Sequence, residues 1–129
     1  MPYILQLDDA EAALDLRYHG VVTVAERFQA WAESKPLLER RGYRRILIDL
    51  TAAQAGPDGP ADFSAFAKRI TSEPLLLASR TAFVVPAVHP ANHLIEVLAD
   101  ARHYPFRRFD ERAPALEWLR RHPSPAPAG

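Results

Sequence analysis

The first twenty residues alternate apolar and polar positions in two short runs. The segment PYILQL has the period of a strand, DDAEAA supplies a polar turn, and LDLRYHG alternates Leu14, Leu16 and Tyr18 before Gly20. Because the connection is so short, the two strands are predicted to form an antiparallel hairpin, with the second strand closing at Gly20.

A long helix is predicted next, in VVTVAERFQAWAESKPLLERRG. Thr23 followed by Glu26 has the spacing of a capping box, in which each side chain accepts a backbone N–H of the other residue. Apolar residues then recur at helical spacing and form a core-facing stripe. Pro36 predicts a kink or a restart of the helix, and Gly42 predicts the left-handed turn that ends it.

Strands and helices alternate through the rest of the chain. YRRILIDLT and RTAFVVP are apolar runs typical of buried strands, FRRFD is a short edge strand, and AAQAGPDGPA is a loop. Helices are predicted in DFSAFAKRI, HPANHLIEVLADARH and ERAPALEWLRRH, with Asp58 or Asp62 as the cap of the first. This alternation predicts parallel strands joined by right-handed crossovers. The expected fold is therefore α/β, a mixed five-stranded sheet in the order β-β-α-β-α-β-α-β-α, with an N-terminal antiparallel hairpin and four helices.

Composition narrows the class of protein. The 129 residues predict one domain over 1–122 and a disordered Pro/Ala tail over 123–129. Sixteen basic and sixteen acidic residues balance, which argues against nucleic-acid binding. Cysteine is absent, which excludes disulfides and thiolate chemistry. No apolar run approaches the roughly 20 residues of a membrane span, and no signal peptide is evident, so a cytoplasmic location is expected.

Several of these segments together resemble the STAS superfamily. The hairpin leading into Gly20, the capped helix, and the segments ILIDLT, AFVV and RRFDERAPALEWLRR are similar to stand-alone bacterial proteins with the fold of the anti-sigma-factor antagonists, the SpoIIAA-like fold. The resemblance runs from about residue 3 to residue 121. It implies a SpoIIAA-like fold and a non-enzymatic role in binding.

The resemblance also implies a phosphorylation site. In the antagonists an Asp and a hydroxyl residue follow the third strand, and a serine that opens the second helix accepts phosphate. Asp49 and Thr51 match the first feature, and Asp62-Phe63-Ser64 matches the second, so Ser64 is the phosphoacceptor candidate. Phe63 stands where the family has a serine.

Candidate binding residues are expected at one edge of the sheet, because ligands of open α/β sheets bind at the carboxyl ends of the strands. Asp49 is expected to accept hydrogen bonds from loop amides. His89 and His93 have a spacing that could place two imidazoles on one metal, but no third ligand is evident, so neither a metal nor a cofactor is predicted. The ligand- or partner-binding candidates are Gly20, Thr23, Asp49, Thr51, Asp62, Phe63, Phe66, Pro86 and His89.

Three functions stay open. The first is a regulatory module that engages a protein partner through the carboxyl edge and the second helix. The second is a carrier of a lipid or small apolar metabolite, which predicts a closed apolar cavity beside Phe63 and Phe66. The third is a small hydrolase that uses Asp49, Ser64 or His89, although the chain has no nucleophile-elbow motif. The expected partner is a protein or a small apolar or anionic ligand, and a homodimer is left open.

Overall fold

The computed structural model describes residues 3–86 and 105–122, which form a mixed five-stranded sheet. The strands lie in chain order, β1 (Tyr3–Asp8), β2 (Ala13–Val22), β3 (Arg45–Ala55), β4 (Arg80–Val84) and β5 (Phe106–Phe109). Strand β1 is antiparallel to β2, and the other neighbours are parallel. The predicted α/β class, the N-terminal hairpin and the mixed sheet are confirmed.

Helices cover both faces of this sheet. They are α1 (Val24–Arg41), α2 (Pro60–Thr71), α3 (Pro74–Leu77) and α4 (Arg112–Arg120). Helices α1, α2 and α3 pack on one face, called here the α1 face, and α4 packs on the other, called the α4 face. The short α3 begins at Pro74. The helix predicted in residues 89–103 and the tail predicted at 123–129 lie outside the described residues.

Helix α1 begins and ends as its sequence predicts. The backbone N–H of Glu26 donates to Thr23 Oγ1 at 3.2 Å, and the Thr23 N–H donates to Glu26 Oε1 at 3.1 Å, which completes the capping box. Gly42, at φ 72°, donates its N–H to the Leu38 carbonyl. The restart expected at Pro36 is wrong, and the kink stays a prediction. The helix continues through Pro36, which lies on its exposed side, where water can bind the carbonyl that the proline leaves without a donor.

Strands β2 and β3 are longer than predicted. Gly20 does not close β2, which passes a bulge between Arg17 and His19 and continues to Val22. Gly20 has φ 67°, a conformation that glycine adopts without steric strain. Each of the last four residues of β2 pairs with a residue of β3 as far as Ala55. The loop predicted over residues 52–61 therefore shrinks to residues 56–59.

The remaining loop joins the ends of these strands to the starts of α1 and α2. A Cβ at Gly56 would lie 2.6 Å from the Val22 carbonyl oxygen, so only glycine fits there. The Val24 N–H, at the start of α1, donates to Asp58 Oδ2 at 2.9 Å. Asp58 is thus not the cap of α2. That helix begins after Gly59, whose N–H donates to Asp62 Oδ2 at 3.0 Å.

The two sides of the sheet bury different residues. On the α1 face the core is large and includes aromatic and branched side chains from every strand. On the α4 face the core is small, because α4 is the one described helix that packs there. Its buried members are Leu47, Ala82, Val84, Ala115 and Leu119.

Candidate ligand site

A cavity of about 60 Å³ lies on the α1 face, between the sheet and helices α1, α2 and α3. A single buried water needs about 10–15 Å³ on this kind of measure, so the cavity can hold a larger group. Most of its lining is apolar. The strands and α2 contribute Leu14, Leu16, Ile46, Ile48, Phe66 and Phe83.

Phe66 and Phe63 lie on the side of α2 that faces the sheet. Phe66 is buried, lines the cavity and meets Phe28 of α1 edge to face, with ring centroids 5.1 Å apart. Phe63 is half-buried and packs against the same core. The predicted pair of aromatic residues therefore helps to form the wall between α1 and α2.

The cavity lining also includes the polar side chains of Arg27, Tyr18, Ser34 and Thr81. Arg27 is 9% exposed, and its guanidinium carbon lies 5.4 Å from the centroid of the Tyr18 ring. Within residues 3–86 and 105–122, Arg27 Nε and Thr81 Oγ1 are buried without a hydrogen-bond partner. The apolar cavity therefore carries unused hydrogen-bonding capacity.

Burial also shifts the ionisation of the two groups nearest to each other. It lowers the pKa of Arg27 and raises the pKa of Tyr18. An arginine remains protonated in proteins even so, and a tyrosine with a raised pKa keeps its proton. The site thus presents one positive charge and the neutral hydroxyls of Tyr18, Ser34 and Thr81 in an apolar surrounding.

Asp49 and Thr51 lie away from this cavity, because the Asp49 side chain points to the α4 face. The Thr51 N–H and hydroxyl donate to Asp49 Oδ1 at 2.9 and 2.6 Å. Arg112 Nη1 donates to Asp49 Oδ2 at 2.9 Å, and Arg112 Nη2 donates to Asp15 Oδ2 at 2.8 Å. Burial alone would raise the pKa of Asp49, but the bonds from Thr51 and Arg112 hold it below its usual value.

The other candidates lie at or near the carboxyl ends of the strands. Thr23 caps α1, Asp62 bonds the start of α2, and Pro86 follows β4 by two residues. Ser64 is the fifth residue of α2 and is exposed. His89, together with His93, lies outside the described residues. The structure therefore divides the candidates among the α1 face, the α4 face and the edge itself.

Sequence reasoning missed Arg27, Tyr18 and Thr81 as site residues. Arg27 follows Val24 by three residues and precedes Trp31 by four, so helical spacing places it on the buried stripe of α1. A charged residue at a core position was the available signal. Nothing in the sequence marked Tyr18 or Thr81, which occupy ordinary inward positions of β2 and β4.

Two further features are absent from the part of the chain that is described. It contains no group of three or more metal-ligating His, Asp or Glu side chains. None of its helices is long and apolar enough to cross a membrane.

Comparison with known proteins supports the fold. A solved structure of an uncharacterised DUF3478-family protein from Shewanella loihica PV-4, described as having a SpoIIAA-like fold, is similar to this chain. The two are 19% identical, the match covers 91% of each chain, and the TM-score is 0.56. No family model and no curated protein matches the chain. The chain thus has a SpoIIAA-like fold.

Proposed function

We propose that this protein is a non-enzymatic binding domain that holds a small, largely apolar ligand in the cavity of the α1 face. The cavity itself carries this proposal. Protein interiors are packed as densely as organic crystals, and voids larger than a water molecule are few. An apolar void among Leu16, Ile48 and Phe66 therefore fits a ligand site better than a packing defect.

The composition of the cavity lining supports ligand binding rather than catalysis. Its apolar side chains offer contact surface, and its few polar groups can orient a ligand, as in most small-molecule sites. Asp49, the acid of the hydrolase hypothesis, does not lie at this cavity. Both oxygens of Asp49 are occupied by Thr51 and Arg112, on the opposite face of the sheet from α2 and Ser64.

A matched pair of isoleucine substitutions tests this function. Ile48→Phe adds a ring at the cavity wall, whereas Ile4→Phe makes the same change at a side chain that is 49% exposed on β1. We expect octanol to raise the melting temperature of the wild type and of Ile4→Phe, and to leave Ile48→Phe unchanged, because a ligand stabilises only the state that binds it. Equal responses of all three proteins, or none, would contradict a ligand site in this cavity.

A second candidate function is regulation by a protein partner through Ser64. Two observations favour it: Ser64 and Asp62 are exposed on α2, and Ser64 matches the phosphoacceptor position of the antagonists. Native mass spectrometry of protein purified from its own source tests both candidates in one spectrum. A bound small molecule supports the ligand site, and a phosphate adduct that Ser64→Ala removes supports regulation.

A further inference from the structure

The most unusual group in the cavity is the guanidinium of Arg27. A guanidinium has five N–H donors. Among residues 3–86 and 105–122, the Arg27 side chain forms no hydrogen bond and no ion pair, and its guanidinium lies over the Tyr18 ring. Buried charges in proteins are normally paired, because leaving water costs several kcal/mol per ion.

Neighbouring carboxylates do not neutralise it by contact. Asp58 is the carboxyl whose charge acts on Arg27, but its Oδ2 accepts the Val24 N–H. Glu26 bonds the backbone and hydroxyl of Thr23 in the capping box. Each of these acids is thus held at the start of α1 by another group. The positive charge of Arg27 remains available to the cavity.

We infer that the ligand of this cavity is an amphipathic carboxylate, with its anionic head on Arg27 and its apolar chain along Leu16 and Ile48. The inference rests on the proposed function and deepens it by assigning the class of ligand. A carboxylate supplies two acceptor oxygens that match the planar fork of a guanidinium. Among the described residues that line the cavity, Arg27 is the one cationic side chain, which suits a head that carries a single charge.

The placement of the lining residues indicates an elongated chain. Tyr18 follows Leu14 by four residues on β2, and Leu14 is level with Ile46 and with Thr81, two strands away. At about 3.3 Å per residue and 4.8 Å per strand, the Tyr18 and Thr81 positions are about 16 Å apart. Arg27 lies over Tyr18 at one end of this diagonal, so the tail would run from there toward Thr81.

Binding can be followed by the fluorescence of Trp31, which lines the cavity, while Trp118 packs on the α4 face. Octanoate, octanol and octylammonium share one tail and differ in the charge of the head. We expect the wild type to bind octanoate about tenfold or more tighter than octanol, and octylammonium weakest, since hydrogen bonds to a charged group are the stronger kind.

Arg27→Met keeps an unbranched side chain of similar length but removes the charge. It should bind octanol as the wild type does and lose the preference for octanoate. Arg40→Met is the control, because Arg40 is exposed on the same helix, and it should behave as the wild type. Equal affinity of the wild type for octanoate and octanol would overturn the assignment of a carboxylate ligand, but it would not contradict an apolar ligand site in the cavity. Binding of none of the three probes would overturn both.

Thermal unfolding separates recognition from a structural role. If Arg27 serves the ligand, Arg27→Met without ligand should melt at or above the wild-type temperature, because an unpaired buried charge is removed. Octanoate should then raise the melting temperature of the wild type more than that of the variant. A variant that melts well below the wild type, with an unchanged octanoate preference, would show that Arg27 supports the fold, and the assignment would be wrong.

Discussion

An arginine side chain lies against each face of the sheet, and the surroundings of these two side chains differ. Arg112, on the α4 face, bonds two carboxylates at 2.8 and 2.9 Å. Arg27, on the α1 face, has no carboxylate partner in the described chain and lies against an aromatic ring instead. One type of side chain, arginine, is therefore paired with acids on the α4 face and left without an acidic partner in the described chain on the α1 face.

Further arginines complete the network on the α4 face. Arg45 donates to the carbonyls of Arg120 and His122, and Arg80 donates to the carbonyl of Trp118. These carbonyls lie at the C-terminal end of α4, where the Trp118 carbonyl also accepts the Arg121 N–H at 3.3 Å, and the arginines complement the helix dipole there. Polar groups on this face fasten a helix to the sheet. On the α1 face, the proposed role of the buried Arg27 guanidinium is to bind the charged group of a ligand.

Removing the paired arginine should have the largest effect. Arg112→Met leaves Asp49 buried without a cation and leaves Asp15 with Arg17 alone, and we expect the free energy of unfolding to fall by about 3 kcal/mol. Urea unfolding at neutral pH measures the loss, with Arg40→Met as the exposed control. A loss below about 1 kcal/mol, which is typical of surface ion pairs, would mean that the two arginines differ less than their contacts indicate.

The next largest effect is expected from substitutions that enlarge a buried side chain. They should lower the free energy of unfolding more on the α4 face than on the α1 face. Ala82 is fully buried under α4, so Ala82→Leu should cost about 2 kcal/mol through overpacking. Ile48→Phe, like Ala82→Leu, adds three carbon atoms, but it adds them beside the cavity and should change the free energy of unfolding by less than about 1 kcal/mol. Urea unfolding of both variants measures the contrast. Equal losses would indicate that the α1 face is packed as tightly as the α4 face.

A smaller loss of stability is expected at acidic pH, and it arises from carboxyl groups that bond to arginines of α4. The pKa values of Glu11 and Asp49 are lowered, and each carboxyl bonds an arginine of α4, Arg120 or Arg112. A carboxyl with a lower pKa in the folded than in the unfolded protein stabilises the fold above its unfolded pKa. This stabilisation is lost as the pH falls through the folded value.

For Asp49 the loss should therefore begin near its ordinary pKa of 3.8 and continue below it. The difference in unfolding free energy between the wild type and Asp49→Asn should stay constant from neutral pH to about pH 5. It should shrink at lower pH, and urea unfolding at a series of pH values measures this. A difference that does not depend on pH would contradict the lowered pKa.

The fold was predictable because its main signals are local. Alternating residues such as Leu14 and Leu16 defined the hairpin, and Thr23 with Glu26 defined the start of α1. The ends of β2 and β3 were not predictable in the same way. Residues 52–55 are three alanines and a glutamine, which have weak strand propensity, and their extended form depends on pairing with β2.

The candidate site was less predictable, because its contacts join distant parts of the chain. Arg112 follows Asp49 by 63 residues, and no sequence pattern announces that pair. Arg27 could have been noticed, since its spacing places it on the buried stripe of α1. A search for apolar periodicity passes over a charged residue at such a position, and burial in the structure was needed to identify it.

The bond from Val24 to Asp58 has a mechanical consequence. It ties the first turn of α1 to the loop that leads into α2, so the two helices over the cavity share one fastening point. Separation of the helices at that end would break this bond. Near their far ends, Lys35 of α1 and Arg69 of α2 both pair with Glu73, at 3.4 and 3.7 Å. A bulky guest that parts the helices would accordingly break one of these two links, and the ion pairs, whose cations are 43% and 64% exposed, are the weaker link.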